Sequence, residues 1–147
     1  MKIEINNQTK HKINLKLLKK IIKAFGRAYK ITNKEVSLAF VGDAAIKKLN
    51  LTYRGLNKTT DVLSFSPLNS AEGNLIGQAG DGDNFGEIII NYKQIKRQAG
   101  DFKNSAEKEL IFILVHGLLH LAGYDDKTEK ERVAMVKKGE KFIKDYL

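Results

Sequence analysis

Ile88, Ile89 and Ile90 stand in an unbroken apolar run, with Gly86 and Glu87 before it and Asn91 after it. Successive side chains of a strand point to opposite faces of a sheet, so three apolar residues in a row call for cover on both faces. A chain with such a strand folds in layers, and helices supply the cover. The first is readable at 13 to 29, where Ile13, Leu17, Leu18, Ile21, Ile22 and Phe25 recur at helical spacing. Lys16, Lys19, Lys20, Lys23, Arg27 and Lys30 fall on the opposite side. Strands are predicted at 1 to 6, at 35 to 41 with Val36, Leu38 and Phe40 on one face, at 61 to 66 and at 86 to 91. Further helices are a short one with Asp43 as its N-cap and Gly55 as its stop, one at 91 to 99, and one at 105 to 121. A last helix at 128 to 146 opens on the capping-box pair Thr128 and Glu131. This order predicts an α+β (α/β layered) fold, a mixed four-stranded sheet packed with about five helices, as a single domain over residues 1 to 147. A chain of this length buries about 68% of its unfolded surface, so neither a metal nor a disulfide is needed for it to fold.

Residues 67 to 86 collect Gly, Asn and Asp and are read as a mobile surface loop, whose unusual length suits either a border of the functional site or a disordered insertion of no consequence. Cysteine is absent, which suits a reducing compartment and leaves only nitrogen and oxygen to hold any metal. The opening Met1 to Ile5 alternates apolar and polar without a signal-peptide core, and the apolar run Leu110 to Val115 is too short for a bilayer. The expectation is a soluble, cytoplasmic protein with no membrane partner. Net charge is +9. Residues 1 to 30 hold nine Lys or Arg against the single acid Glu4, so most of the excess lies on the first helix, where it serves equally as a solvated face or as a track for phosphates.

The chemistry concentrates in His116-Gly-Leu-Leu-His120-Leu-Ala-Gly-Tyr-Asp125-Asp126. Two histidines four apart on a helix share one face, and both imidazoles reach one ion. Gly123 stops the helix by taking a left-handed conformation and turns the following residues back past its last turn. His11 is remote, so the third ligand is a carboxylate. Asp125 and Asp126 compete for that place. The spacing His-x3-His-x5-Asp favours Asp126 and leaves Asp125 to orient a ligand from outside the coordination shell. The plain alternative, two histidines on a solvated helix face, conflicts with Leu114, Val115, Leu118, Leu119 and Leu121 around them.

His116 to His120 invites comparison with the zinc-peptidase motif His-Glu-x-x-His, and the wider spacing with a metzincin site. In those enzymes the Glu is the general base, and here its position is Gly117. A phosphodiester asks less of the protein, because a metal supplies both an acidified water and charge stabilisation on the phosphate.

Four successive segments carry a closer resemblance. Leu49-Asn-Leu-Thr-Tyr-Arg54, Thr60-Asp-Val-Leu-Ser-Phe65, Gly86-Glu-Ile88 and His116 to Asp126 together resemble the bacterial YbeY family, over about residues 36 to 126. The resemblance implies a single-strand-specific, metal-dependent endoribonuclease that acts in 3'-end maturation of small-subunit (16S) ribosomal RNA and in ribosome quality control. It implies zinc on His116, His120 and Asp126, and partners that include the small ribosomal subunit, a ribosomal protein and a ribosome-associated GTPase. It also implies that Arg54 serves activity. Physically, a guanidinium grips a phosphate bidentately and offsets charge in a pentacovalent transition state. The plain role for Arg54 is a surface residue closing the helix before Gly55. Thr60 and Asp61 either orient that arginine or end a strand, with Asp61 read as structural and Tyr53 as packing.

Asp126 departs from the commonest family pattern, which ends in a third histidine. Two histidines and an aspartate leave a bound divalent ion one unit less positive, so water is acidified less and an anionic substrate attracted less. The same ligand set serves non-haem iron, and other divalent metals fit its chemistry, but the helical histidine pair and the family favour zinc. On this reading the basic first helix guides single-stranded RNA into a groove, Arg54 and the metal hold the phosphate, and a metal-activated hydroxyl attacks it. Two rivals remain at this stage: a non-catalytic ribosome assembly factor with a structural metal, and a metzincin-like peptidase.

Overall fold

The computed structural model describes residues 1–67, 83–101 and 105–147. Strands β1 (Lys2–Asn7) and β2 (Glu35–Phe40) run parallel and are joined through helix α1 (Leu15–Ala28), the long connection that two parallel strands need. After α2 (Asp43–Arg54) come β3 (Val62–Phe65) and β4 (Asn84–Ile90), then α3 (Tyr92–Asp101), α4 (Ala106–Leu121) and α5 (Glu129–Tyr146). The sheet order is β1-β2-β4-β3, with β2 and β4 parallel and β3 antiparallel to β4. The expected α+β fold with a mixed four-stranded sheet and five helices is therefore present among the described residues. β3 occupies one edge, which matters for the site.

β4 lies between β2 and β3 and is covered on both faces, as its isoleucine run requires. Ile88 and Ile90 enter the larger core with Val36, Leu38 and Phe40 of β2, whereas Ile89 enters a smaller cluster with Val41, Ile46 and Leu63. The larger core takes its cover from α1, α3, α4 and α5; the smaller one takes it from α2 through Ile46 and Leu49. Leu114, Val115, Leu118 and Leu119 of α4 are fully buried, each contributing about 1.5–3 kcal/mol. The basic residues of α1 are all exposed and its apolar stripe is turned inward, as the pattern predicts.

Two boundaries differ from the sequence reading. Asp43 is not the N-cap of α2. Gly42 takes that place in extended conformation, and Asp43 is the first helical residue, its carboxylate engaged elsewhere. Arg97 of α3 donates to it through both terminal nitrogens at 3.1 and 2.7 Å, and Asn91 donates at 2.6 Å. These bonds hold the Asp43 carboxyl well below the usual carboxylate range, the Arg97 bonds foremost. The strand at 86 to 91 in fact starts at Asn84, so it takes the end of the expected loop; residues 68–82 of that loop lie outside the described residues. Thr128 does cap α5, accepting from the Glu131 N–H at 3.1 Å, and Gly55 ends α2 in a left-handed conformation with φ 71°.

Candidate metal centre and cleft

α4 places His116 and His120 on the side of the helix turned toward the edge of the sheet, next to fully buried neighbours. Their side chains are 18% and 27% exposed, desolvated enough to strengthen electrostatics yet reachable. The helix then ends in a Schellman turn. Gly123 has φ 105°, its N–H reaches the His120 carbonyl at 3.0 Å, and the Tyr124 N–H reaches the Leu119 carbonyl at 3.1 Å. A residue with a side chain resists that backbone conformation, so the glycine decides that the chain doubles back.

Asp126 is delivered by this turn. Its Oδ2 lies 3.3 Å from His116 Nε2 and 3.4 Å from His120 Nε2, and the two Nε2 atoms are 3.2 Å apart. The His116, His120 and Asp126 donors form a group able to hold a metal ion. Their spacing fits one closely: with ligand bonds of 2.0–2.1 Å, tetrahedral zinc sets donors about 3.3–3.4 Å apart. A proton shared within this triangle satisfies one edge, whereas a cation at its apex satisfies all three corners. Burial pushes the His116 imidazole below its ordinary pKa and His120 adds to the effect, while the Asp126 and Asp61 carboxylates pull the other way. The net lowering favours the neutral ring, which is the form that ligates metal.

Among the described residues Asp125 makes no hydrogen bond or ion pair to either histidine. Its carboxylate is turned to Lys127, 3.9 Å from the ammonium, and is half exposed. Gly117 shows why the peptidase comparison fails in space as well as in sequence. A Cβ at that position would lie 3.2 Å from Ser64 Oγ and 3.3 Å from Ile88, so the position faces the sheet and has no room for a glutamate base.

The donor triangle opens into a cavity of about 1340 Å³. One wall is the end of α2 with Thr52, Tyr53 and Arg54, the floor is β3 with the residues just before it, and the other wall is α4, its turn and the start of α5. α2 comes from one face of the sheet and α4 with α5 from the other, so the cleft forms where the two layers meet across the β3 edge. Arg54 lines the same cavity as the three donors, is exposed, and has no hydrogen bond or ion pair among the described residues. Asp61 also lines it but does not orient Arg54: its carboxylate accepts from Gln98 at 3.1 Å and Thr60 at 3.4 Å, and its carbonyl accepts from Asn91. Tyr53 packs edge-on against Phe65 and remains partly exposed.

Lys127 and Arg132 join Arg54 in lining the cleft, and the sequence did not single them out. They sit around the Thr128 cap in a charged stretch that reads as an ordinary solvated helix start. The one available signal is proximity: both lie within a turn or two of Asp126, where α5 must begin.

Comparison with known proteins agrees with this geometry. The family model described as Endoribonuclease YbeY matches residues 2–147. The chain is 42% identical over 114 residues to the Endoribonuclease YbeY of Pelotomaculum thermopropionicum, covering 74% of this chain and 70% of that protein. It is 43% identical over 116 residues to that of Moorella thermoacetica, covering 78% and 74%. The solution structure of TM1509 from Thermotoga maritima superimposes with a TM-score of 0.61 at 29% identity, covering 96% of this chain and 86% of that one. With the histidine pair, the returning aspartate and the arginine on one cleft, and a match that runs from the first strand to the last residue, the chain belongs to the YbeY family of endoribonucleases.

Proposed function

We propose that residues 1–147 act as one metal-dependent endoribonuclease domain that cuts single-stranded RNA, with zinc on His116, His120 and Asp126 and the scissile phosphate on Arg54. The donor triangle with edges of 3.2–3.4 Å, open to a cleft that also holds an uncommitted guanidinium, carries this reading. A zinc ion bound there supplies charge stabilisation to a phosphate and acidity to water. Three protein donors leave a coordination position free for chemistry, whereas structural zinc sites are closed by four.

The chain's own residues account for the rest. Arg54 offers a planar fork to two phosphate oxygens, and being unpaired it need not break a bond to do so. Lys127 and Arg132 on the far wall extend the positive lining along a strand. The C-terminal end of α1 lies close by, since Tyr29, its C-cap, meets the ring of Tyr124 beside the site, and the exposed lysines of α1 add to the positive field of the protein. Such cations steer a polyanion and hold it in a salt-dependent way. Asp126 leaves the centre one charge less positive than a third histidine would, and the cationic lining compensates for that near the phosphate. Product ends identify the nucleophile: a 5'-phosphate marks water, and a 2',3'-cyclic phosphate marks the ribose hydroxyl.

The family resemblance extends the reading to cytoplasmic 3'-end maturation of small-subunit (16S) ribosomal RNA and ribosome quality control, with the small subunit, a ribosomal protein and a ribosome-associated GTPase as partners. No helix among the described residues is long and apolar enough to cross a membrane. The test is cleavage of a fluorescent single-stranded RNA by metal-analysed wild-type and His116→Ala proteins, with casein as control. Wild type should carry zinc and cut RNA, and His116→Ala should do neither. Equal RNA cleavage by both proteins returns the chain to the assembly-factor reading, and casein digestion with intact RNA returns it to the peptidase.

A further inference from the structure

We propose that Tyr53 and Tyr124 are nucleobase platforms on the two walls of the cleft, each taking one unpaired base beside the phosphate held between them. The proposal rests on the RNA-cleaving reading and deepens it, by assigning to two side chains the requirement for an unpaired strand. Both tyrosines line the cavity that holds the donor triangle and Arg54. Tyr53 directly precedes Arg54 on α2, and Tyr124 stands two residues before Asp126 in the turn after α4. They therefore reach the cleft from opposite faces of the sheet, across the β3 edge.

Each of the two residues is 38% exposed although it lines the cavity. Neither is loose. Tyr53 is braced edge-on by Phe65, with centroids 5.5 Å apart and planes at 72°. Tyr124 is braced by Tyr29, with centroids 6.4 Å apart and planes at 76°, and Lys138 sets its ammonium 4.7 Å over one face. Lys138 and Tyr29 hold the ring in place while more than a third of the residue stays exposed in the cleft. Neither tyrosine is held through its hydroxyl among the described residues, so it is the ring, not the hydroxyl, that the fold positions. Braced, partly exposed rings beside cations that line the same cleft are the arrangement that single-stranded nucleic acids use, with cations on the backbone and aromatic faces on the bases. A base within a duplex is already stacked and paired and cannot swing onto either ring. The sequence reading of Tyr53 as packing thus describes its contact with Phe65, and the exposed part of the residue is what remains for binding.

The test uses wild-type protein loaded with zinc and a fluorescent RNA oligomer whose cut position has first been mapped. Companion oligomers carry a single abasic ribose on the 5' side or the 3' side of the cut. Each abasic substitution should raise KM about tenfold or more while changing kcat less, the scale of one base–aromatic stack. Tyr53→Ala should abolish the penalty on one side and Tyr124→Ala on the other, with Tyr→Phe at each position restoring it. Wild type that cuts abasic RNA with unchanged KM overturns the proposal. So does a full penalty on both sides in each alanine variant. Fluorescence anisotropy on the same oligomers separates this failure from that of the cleavage reading. RNA that is bound but never cut defeats cleavage, while the abasic dependence of Kd still decides the platforms; RNA that is not bound defeats both.

Discussion

The two walls of the cleft are built in different ways. All three metal donors come from eleven consecutive residues, His116 to Asp126, and the backbone hydrogen bonds that shape the segment are those of a helix and a Schellman turn. Arg54 is carried instead by α2, on the opposite face of the sheet, and α2 is tied in place by contacts between residues far apart in the chain. Arg97 and Asn91 grip Asp43 at its start, and Asn91 also donates to Thr59 at 3.1 Å, so α3 and the residue just before it hold both ends of the α2-to-β3 segment. A local wall keeps its geometry as long as α4 is folded. A long-range wall depends on the whole sheet edge, so the two should fail separately.

Changes at the local wall have the largest expected effect. His116→Ala or His120→Ala removes one of three donors and should abolish both zinc content and RNA cleavage, measured together by elemental analysis and gel assay. Retained zinc at full stoichiometry in either variant would break the comparison at its root. Next comes Leu118→Ala, which opens a cavity in the layer beneath the site. It should cost about 2–5 kcal/mol in chemical denaturation. It tests whether the local wall depends on the core under it, since zinc should partly restore the loss by binding only the folded state.

Asp43→Asn addresses the other wall, with a smaller effect. Solvent screens this partly exposed carboxylate, so the stability cost should be about 1 kcal/mol at neutral pH. Its folded pKa is depressed, so its contribution is present above the unfolded value of about 3.9 and is lost as pH falls through the folded one. The difference between wild type and Asp43→Asn should therefore shrink in acid, while zinc content at neutral pH stays unchanged. Loss of zinc in Asp43→Asn would show that the walls are not independent.

The smallest effect is on a single ring. In metal-free protein His116 should titrate below about 6.5 by NMR, and Asp126→Asn should lower it further, because Asp126 raises that pKa against burial and His120. The folded state prefers the neutral ring, so metal-free protein loses stability as pH falls through the unfolded value, and zinc should abolish the titration.

What could be read from the sequence follows the same division. The histidine spacing, Gly123, the Thr128 cap, the amphipathic α1 and the doubly covered β4 each depend on neighbours within a few residues, and each appears as expected. Asp43 misled because an aspartate before a helix is a good cap by local rules, but an arginine 54 residues away claims it. Lys127 and Arg132 gave no signal, because whether an exposed cation faces a cleft or open solvent depends on where two layers converge. Strand order has the same origin. β4 inserts between β2 and β3, and no local pattern states that.

The most direct test of the account is Arg54→Glu, assayed beside wild type for zinc stoichiometry and for cleavage of single-stranded RNA. The account predicts full zinc content with cleavage reduced about 10²–10³-fold, the scale for removing one charge-stabilising donor. Full cleavage by Arg54→Glu would contradict the phosphate role, and loss of zinc would contradict the separation of the two walls.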